Sequence, residues 1–279
     1  EQHSYQDLPK RYGETSILFR NEASGEMHGL IRVRQFTLAE GHIILTPEQL
    51  EEEFKGVVDL IKYVMRCIGV ENDVTYRLSK WDPNDKEKYI GDNETWETTQ
   101  DIMRRILNHL EIDYVEADGE AAFYGPKLDI QFKNVFGKED TLFTVQIDPY
   151  LAERFDMYYI DKDGQKKRPY IIHRSSLGCY ERTLAMLIEK YAGALPLWMM
   201  SEQVRILSIT DRAAAYCHEF EKELKKAGVR VTVDDRQEKI GYKLREARNE
   251  RLPYVLVAGD KEVADGTFAV RRRGEGEIG

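Results

Sequence analysis

The hydrophobic pattern of this chain changes its period near Ser201, and that change limits the folds that the chain can adopt. Strands in close succession favour an antiparallel sheet flanked by helices. Before Ser201, short apolar runs follow one another in this way: TSILF, HIILT, VTYRLSKW, AAFYG, LDIQF, LFTVQID and RPYIIHR. After it, strands and helices alternate in the order βαβαββ, which is typical of a small α/β domain. We therefore predict an α+β domain over residues 1–200 and an α/β domain over residues 201–279.

Helical spacing of apolar residues marks the segments that cover these sheets. Thr46 is predicted to cap a helix with Pro47 in its first position. Further helices are predicted over residues 93–110 and 177–191 of the first domain, and a glycine at the start of the latter lets the backbone approach a neighbour closely. In the second domain, helices are predicted over residues 213–227 and 241–250.

The charge is divided unequally between the two domains. The formal net charge of the chain is -9, which disfavours a protein that coats nucleic acid or anionic lipid non-specifically. The region from Ser201 onward has 16 Lys and Arg against 15 Asp and Glu, whereas residues 1–200 have 25 against 35. The second domain is therefore the better candidate for contact with a polyanion.

Cysteine usage and hydropathy bear on location. Cys67, Cys179 and Cys217 are far apart and form no CxxC pair, which is typical of a protein in a reducing, cytoplasmic compartment. No apolar run approaches the roughly 20 residues of a membrane span. The N-terminal stretch EQHSYQDLPKRY is polar and lacks both a signal-peptide core and an initiator methionine, so we expect a chain cut from a longer one.

The segment FRNEASGEMHGLIRVRQF joins two predicted strands and concentrates candidate binding residues. Arg20 directly follows a strand, where its planar guanidinium is held in place to bind phosphate. Phe36 stands at the end of the returning strand, where its ring can stack on a nucleobase. No Gly-rich P-loop occurs in the chain, so these residues predict a nucleotide site of another kind. The alternative is a solvated, salt-bridged strand pair.

A second arginine and two histidines are further candidates. Arg182, in the segment HRSSLGCYERTLAML, can either bind phosphate or pair with Glu181. His42 and His173 lie on or beside strands that are candidate neighbours and could share a Zn²⁺ ion. The alternative is that each is a hydrogen-bonded core histidine. The thiol nearest to them in sequence, Cys179, does not give a recognised zinc spacing.

These segments together resemble a known family. FRNE, ASGEMHGLIRV and RQF are similar to motif 2 of class II aminoacyl-tRNA synthetases, and GCYERTLAML is similar to motif 3. AFYGPKLDI, TVQID, VDDRQEKIGYKLREA and VLVAGDKEV resemble the threonine-specific branch of that family in order and approximate spacing. The resemblance covers essentially the whole chain. It implies an antiparallel class II catalytic sheet over residues 1–200 and an anticodon-binding domain over residues 201–279.

The resemblance implies an aminoacyl-tRNA ligase that activates threonine with ATP and Mg²⁺ and transfers it to tRNA(Thr). It assigns Arg20 to the α-phosphate, Glu22 to the adenine amino group, Arg32 to the γ-phosphate and Phe36 to stacking on adenine, while Arg182 holds the phosphates from the other side. Arg20 and Arg182 are thus the catalytic candidates. Since the amino-acid carboxylate itself attacks the α-phosphorus, positioning and charge neutralisation supply the catalysis.

The resemblance also implies an amino-acid site. His42 and His173 match two of three zinc ligands, and the third, a cysteine, belongs to an upstream segment that has no counterpart in this chain. In the family, zinc binds the amino and hydroxyl groups of threonine and so rejects valine. The matching pocket residues are Glu40, Tyr124, Lys127 and Gln146.

Two departures from the family pattern lie next to these residues. Phe19 stands where the family usually has His, and LAEGH, residues 38–42, replaces QDDAH. Glu40 is one methylene longer than the usual Asp, which favours keeping a second hypothesis in which the chain activates another small amino acid such as serine. Motif 1 is also absent, which motivates a third hypothesis of a catalytically silent RNA-binding fragment. The full-length enzyme would be a homodimer.

In the second domain, the resemblance implies anticodon recognition by Gln237, Arg251, Glu262 and Arg271. Arginine can bind guanine edges or phosphate, and glutamate can accept a hydrogen bond from cytosine N4. The near-neutral charge of this domain is compatible with RNA contact. The alternative is a solvated charged face.

Overall fold

The structure is a computed structural model, and it describes residues 3–279. The chain divides into two compact units, one that ends at Met186 and one that comprises Leu187–Gly279. In the described part of the chain, no helix combines the length and the apolar character needed to cross a membrane.

The first unit contains ten strands and four helices among its described residues. The strands are β1 (His3–Ser4), β2 (Lys10–Phe19), β3 (Gln35–Leu45), β4 (Val74–Ser79), β5 (Tyr114–Ala117), β6 (Lys127–Lys133), β7 (Glu139–Asp148), β8 (Tyr159–Ile160), β9 (Lys166–Lys167) and β10 (Tyr170–Cys179). The helices are α1 (Leu50–Ile68), α2 (Asn93–His109), α3 (Leu151–Arg154) and α4 (Tyr180–Lys190), and the division between the units falls within α4.

The main sheet of this unit has the strand order β2-β3-β10-β7-β6-β4-β5. Every neighbouring pair is antiparallel except β4 and β5. A small separate sheet has the order β1-β8-β9. The observed architecture confirms the predicted α+β class with a largely antiparallel sheet.

Helix α1 shows how local sequence sets an element. The backbone N–H of Thr46 donates to Oε1 of Gln49 at 3.0 Å, and Pro47 opens the short 3₁₀ turn that leads into α1. The apolar face of α1, which includes Phe54 and Ile61, is fully buried. Gly69 directly follows the helix and adopts φ of 73°, a left-handed conformation that glycine reaches without steric cost.

The second unit contains β11 (Val204–Ser208), β12 (Val231–Asp234), β13 (Tyr254–Ala258), β14 (Ala269–Arg272), β15 (Gly276–Glu277), α5 (Asp211–Lys226), α6 (Ile240–Asn249) and α7 (Asp260–Asp265). Its sheet has the order β12-β11-β13-β14-β15, in which β12, β11 and β13 are parallel. On β11, Ile206 lies in one buried cluster with Cys217 of α5, whereas Leu207 lies in another with Ala247 of α6. Strand β11, which lies between the two other parallel strands, is thus covered on both faces, as is usual in parallel sheets.

Several element predictions were wrong. AAFYG is not a strand; it forms turns around an isolated bridge between Ala122 and Gly125. A side chain at Gly125 would meet the Ile147 carbonyl oxygen at 1.9 Å, so the backbone here lies against β7 instead of pairing along it. Strand β5, helix α7 and the small sheet were not predicted.

The predicted helix over residues 177–191 begins later than expected. Strand β10 continues to Cys179, with an irregularity in its pairing to β3 between Ser175 and Gly178. Gly178 has φ of 73°, and a side chain there would lie 2.6 Å from the Leu142 carbonyl oxygen. This confirms the predicted close backbone approach but places it within a bulged strand, because the extra residues are absorbed before the helix starts.

Candidate functional site

A cavity of about 420 Å³ in the first unit gathers candidate residues from distant parts of the sequence. Strands β3, β6, β7 and β10, the loop before β3 and helix α4 all contribute to its wall. Its lining includes Arg20, Glu22, Arg32, Phe36, Glu40, Tyr124, Lys127, Gln146, His173 and Arg182. Positive side chains outnumber negative ones in this set, which suits a polyphosphate ligand.

Sheet register explains how these residues meet. His42 on β3 pairs with His173 on β10, His173 with Gln146 on β7, and Gln146 with Lys127 on β6. Directly paired residues of neighbouring strands project from the same face of a sheet. One row of side chains across four strands therefore contains His42, His173, Gln146 and Lys127, which are far apart in the sequence.

Arg20 and Phe36 are in direct contact. The guanidinium carbon of Arg20 lies 4.9 Å from the centroid of the Phe36 ring, and the ring is only 5 % exposed. Phe36 is therefore mostly buried, and Arg20 lies against its ring. The contact is a cation–π interaction that holds the guanidinium at the cavity wall. A base that stacked on the same face of Phe36 would have to displace Arg20 from it.

Glu22 and Arg32 pair with each other inside the loop. Oε2 of Glu22 accepts from Nε of Arg32 at 3.0 Å and lies 2.9 Å from Nη2. The hydrogen bond from Arg32 lowers the pKa of Glu22 below its usual value. Nε of Arg34 donates to the Glu22 carbonyl oxygen at 3.0 Å. The salt-bridged alternative thus describes this part of the loop, while both side chains also border the cavity.

Arg182 does not pair with Glu181. Its Nε donates to the carbonyl oxygen of Ile31 at 3.1 Å, and its Nη1 donates to that of Thr141 at 3.0 Å. The Glu181 carboxylate instead accepts from the backbone N–H of Thr37. Arg182 therefore ties the loop before β3 to the start of β7 and presents its charge at the cavity wall.

Another part of the cavity wall is formed by Tyr124, Lys127 and Gln146. The hydroxyl of Tyr124 donates to Oε1 of Gln146. Burial, together with the charges of Asp148 and Glu40, raises the pKa of Tyr124, so its hydroxyl remains a donor at neutral pH. This hydrogen bond fixes the orientation of the Tyr124 and Gln146 side chains relative to each other.

Two buried carboxylates support this wall, and the sequence analysis missed both. Asp129 is fully buried, and its Oδ2 lies 3.0 Å from Nζ of Lys127 and accepts from Ser79 at 2.6 Å. Asp148 is also fully buried; its Oδ2 lies 2.9 Å from Nε2 of His173, and its Oδ1 accepts two backbone N–H groups. The signal for each was a carboxylate within an apolar strand, which is rarely buried unless paired.

The two candidate histidines lie next to each other on neighbouring strands. The ring centroids of His42 and His173 lie 4.9 Å apart at an interplanar angle of 86°. Burial and the neighbouring His173 lower the pKa of His42, which favours the neutral imidazole that a metal requires. A carboxylate behind a ligating histidine, such as Asp148 behind His173, is the usual support in metal sites. The pair therefore fits two positions of a zinc site.

The described residues do not complete that site. Within residues 3–279, no group of three or more His, Cys, Asp or Glu side chains is placed to hold a metal ion. Cys179 pairs across the sheet with Leu38, four positions from His42, and its Sγ lies 3.5 Å from Oε2 of Glu181. It is thus separated from the histidines.

The four residues predicted to contact an anticodon lie at two opposite edges of the second sheet. Gln237 follows β12 and Glu262 follows β13, so both lie at the carboxyl edge of the parallel strands. Arg251 precedes β13, and Arg271 pairs with Val255 near the start of β13, so both lie toward the amino edge. Arg251 and Arg271 thus lie at one end of these strands, and Gln237 and Glu262 lie at the other.

Each pair has a distinct environment. Arg251 and Arg271 share the wall of a cavity of about 390 Å³, which is also lined by other arginines. Nη2 of Arg271 donates to Oε2 of Glu277 at 2.7 Å. At the other edge, Oε2 of Glu262 accepts from the backbone N–H of Gly259 at 2.8 Å and thereby caps α7. Nε2 of Gln237 donates to the Asp211 carboxylate at 3.2 Å.

Comparison with known families defines the class of protein. Residues 1–191 match the tRNA synthetase class II core domain (G, H, P, S and T), and residues 203–279 match the anticodon binding domain. The antiparallel sheet, the arginine-lined cavity and the α/β unit that follows are thus those of a class II tRNA synthetase.

The relatives narrow this class to one branch. The threonine–tRNA ligase of Clostridium perfringens is 69% identical over 278 residues, and that of Geobacillus kaustophilus is 49% identical over 276 residues. These alignments cover 100% and 99% of this chain but 43% and 42% of the relatives. The chain thus spans less than half the length of these relatives. It belongs to the threonyl-tRNA synthetase family.

Solved structures are similar as well. The crystal structure of the RNA binding domain of threonyl-tRNA synthetase from Cryptosporidium parvum has a TM-score of 0.89 and 33% identity, over 98% of this chain and 67% of that chain. A putative threonyl-tRNA synthetase from Aeropyrum pernix has a TM-score of 0.80 and 28% identity, over 95% and 62% of the two chains. Both likenesses extend over nearly the whole of this chain.

Proposed function

We propose that this chain contributes the catalytic core and the anticodon-binding part of an enzyme that activates threonine with ATP and transfers it to tRNA(Thr). One observation carries the proposal: the candidate residues for ATP binding and those for binding of the amino-acid substrate line the same cavity. The threonine–tRNA ligases to which the chain is similar support the choice of amino acid.

For ATP, we propose that Arg20 leaves the Phe36 ring to hold the α-phosphate and that adenine takes its place on the ring. Arg182, already fixed by two backbone carbonyls, neutralises the phosphates from the other side. Glu22 and Arg32 must separate in part to meet the adenine amino group and the γ-phosphate. Mg²⁺ bound with ATP would offset the remaining phosphate charge. Catalysis then consists of orientation and stabilisation of developing negative charge, with no side-chain nucleophile.

For the amino acid, we propose that Tyr124, Lys127, Gln146 and Glu40 surround threonine. His42 and His173 would supply two ligands to a zinc ion, and a third ligand would come from outside the described residues. When bound, zinc supplies a Lewis-acid position for the amino and hydroxyl groups of threonine. The contact between Oδ2 of Asp148 and Nε2 of His173 would fix the orientation of that ring.

For tRNA, we propose that Gln237, Arg251, Glu262 and Arg271 contact the anticodon. Their division between two ends of the strands favours two separate contacts, one with base edges and one near the cavity that Arg251 and Arg271 share.

We place the domain boundary at Ser201, between the two family matches that end at 191 and begin at 203. A homodimer and a cytoplasmic location complete the proposal, and three free cysteines are compatible with that location.

The deciding experiment is amino-acid-dependent ATP–pyrophosphate exchange. It should be run on this chain and, in parallel, on the Clostridium perfringens ligase in which this chain replaces the matching 278 residues. We expect pyrophosphate exchange with threonine in the ligase that carries this chain. We also expect that ligase to bind one zinc ion in a way that depends on both His42 and His173. The unmodified ligase is the positive control.

Two outcomes would contradict the proposal. Faster exchange with serine than with threonine would favour a paralogue that activates another small amino acid, and the longer Glu40 would then be the first residue to examine. No exchange with any amino acid, together with retained tRNA binding, would favour a silent RNA-binding chain.

A further inference from the structure

We propose that Arg77 is a positioning residue that pairs with Asp129 when Lys127 turns to the negatively charged carboxylate of the amino-acid substrate. The inference rests on the proposed function, in which Lys127 lies beside threonine, and it deepens that function. Arg77 lies on β4, one strand further from the cavity than Lys127 on β6.

Four polar side chains form one group on β4 and β6. Arg77 pairs with Asp129, and Ser79 pairs with Lys127. Because paired residues share a face, and residues two apart on one strand do so as well, all four project to the face that carries the cavity. Lys127 also pairs with Gln146 in the row across the cavity. Of the four, only Lys127 borders the cavity in the described part of the chain.

Asp129 places one buried negative charge between two cations. Its side chain is fully buried, and its Oδ2 accepts from Oγ of Ser79 at 2.6 Å. Nζ of Lys127 lies 3.0 Å from the same oxygen, and Nη2 of Arg77 lies 3.6 Å from it. Two positive groups and one negative group leave one positive charge in excess. That excess matches a single anionic group of a substrate.

The contact between Arg77 and Asp129 is incomplete. At 3.6 Å, Nη2 of Arg77 is beyond hydrogen-bond distance from Oδ2. Nε of Arg77 and Oδ1 of Asp129 are both buried, and neither has a hydrogen-bond partner among residues 3–279. These two atoms belong to directly paired residues, and a bidentate arginine–carboxylate contact would use both. The guanidinium is thus placed to bind Asp129 more closely.

Lys127 needs a second cation near Asp129 in order to bind the substrate. A buried carboxylate that loses its positive partner is strongly destabilising, and Ser79 offers it only a neutral hydrogen bond. When the carboxylate of threonine draws Nζ of Lys127 toward the cavity, closure of the Arg77 contact keeps Asp129 paired. Two cations then face two anions, so Lys127 binds the substrate without a net loss of ion pairs.

The experiment measures whether removal of the Arg77 charge weakens recognition of the carboxylate alone. The probe is threoninol, the amino alcohol that has a hydroxymethyl group in place of the carboxylate. In the Clostridium perfringens ligase that carries this chain, we expect Arg77→Met to raise KM for threonine by about tenfold or more, because Lys127 then stays with Asp129. The inhibition constant of threoninol and KM for ATP should stay within about threefold.

Two further variants separate charge from structure. Arg77→Lys restores a cation and should return KM for threonine to within about threefold of the unsubstituted ligase. Arg66→Met, which removes an exposed arginine of α1 that pairs with Glu71, is the matched control and should leave all three constants within about twofold. Equal weakening of threonine and threoninol in Arg77→Met would show a structural role and overturn the inference, and so would an unchanged KM for threonine.

A structure of the unsubstituted ligase with bound threonine decides the matter if Arg77→Met does not fold. We expect Nη2 of Arg77 to approach Oδ2 of Asp129 to about 3.0 Å, and Nζ of Lys127 to move beyond about 4 Å from it. Unchanged distances to Asp129 would overturn the inference. Absence of threonine-dependent exchange in the unsubstituted ligase would instead overturn the proposed function, so the two failures are distinguishable.

Discussion

Arg20 rests on the face of Phe36, and this contact joins two of the residues that we propose for ATP binding. A cation–π contact at a partly exposed site contributes about 0.5–1 kcal/mol, whereas base stacking on an aromatic ring contributes about 1–3 kcal/mol. Exchange of one contact for the other therefore favours a bound nucleotide, and it frees the guanidinium for phosphate. Phe36 is thus expected to act as a receptor for the base and as a rest position for Arg20.

The substitution Phe36→Leu tests this role. Loss of stacking worth about 1–3 kcal/mol should raise KM for ATP by about 5- to 100-fold and leave KM for the amino acid nearly unchanged. The measurement is steady-state pyrophosphate exchange at varied ATP. Phe136→Leu, at a turn where the ring is 84 % exposed, is the control. Equal KM values for ATP in both variants would contradict the assignment.

Charged contacts between elements stabilise the edge of the first sheet at β5. Glu116 on β5 accepts from Nε of Arg104 on α2 at 2.8 Å and lies 2.9 Å from Nζ of Lys80. The hydrogen bond from Arg104 is the main cause that lowers the pKa of Glu116 from 4.5 to about 2. These contacts connect α2 to the outermost strand.

The lowered pKa predicts a pH dependence of stability. A carboxyl group whose pKa is lower in the folded state stabilises the fold above its unfolded pKa, so the contribution is complete above about 4.5 and is lost as pH falls toward about 2. Glu116→Gln should lower the free energy of unfolding at pH 7 by about 1 kcal/mol after solvent screening. The difference from the unsubstituted chain should shrink as pH falls below about 4.5.

Urea unfolding at pH 7 and at pH 3 checks this prediction. Glu120→Gln, which removes an exposed carboxylate in the same region, is the control. A Glu116→Gln difference that stayed constant between the two pH values would mean that the ion pair is not its cause.

At the scale of the whole molecule, the cavity and the anticodon candidates belong to separate units of the chain. The candidate residues at the cavity extend to Arg182, whereas the RNA-contact candidates begin at Gln237. Activation of the amino acid and selection of tRNA should therefore be separable.

Removal of residues 201–279 tests this separation. We remove them from the Clostridium perfringens ligase that carries this chain in place of its matching residues. We expect the rate of pyrophosphate exchange to stay within about tenfold of the rate before the deletion, because removal of the second domain leaves every cavity residue in place. Charging of tRNA(Thr) should fall by about 10²-fold or more, since several base contacts at about 1–3 kcal/mol each are lost. The complementary variant Arg182→Gln should lose exchange and keep tRNA binding. Parallel loss of both activities in the deletion would contradict a modular division.

Much of this architecture was predictable because it depends on local pattern. Alternating apolar residues identified β4, β6 and β7, and helical spacing together with Thr46 and Pro47 located α1. The arginines around the loop before β3 were identified by residue type and position. For the same reason the AAFYG segment was assigned wrongly: its composition favours a strand, while the close approach of Gly125 to Ile147 depends on a distant part of the chain.

By itself the sequence determined the class of fold, the order of an antiparallel sheet followed by an α/β unit and the types of side chain available for a candidate nucleotide site. Only the tertiary structure decided which of these side chains meet. Register across the strands placed His42 beside His173 and His173 beside Gln146, and the bulge near Gly178 delayed the start of α4. In the second sheet, the direction of the strands placed Gln237 and Glu262 at one end and Arg251 and Arg271 at the other. The physical reason is that local periodicity sets which face of an element is apolar, whereas pairing between elements far apart in sequence sets which residues share that face.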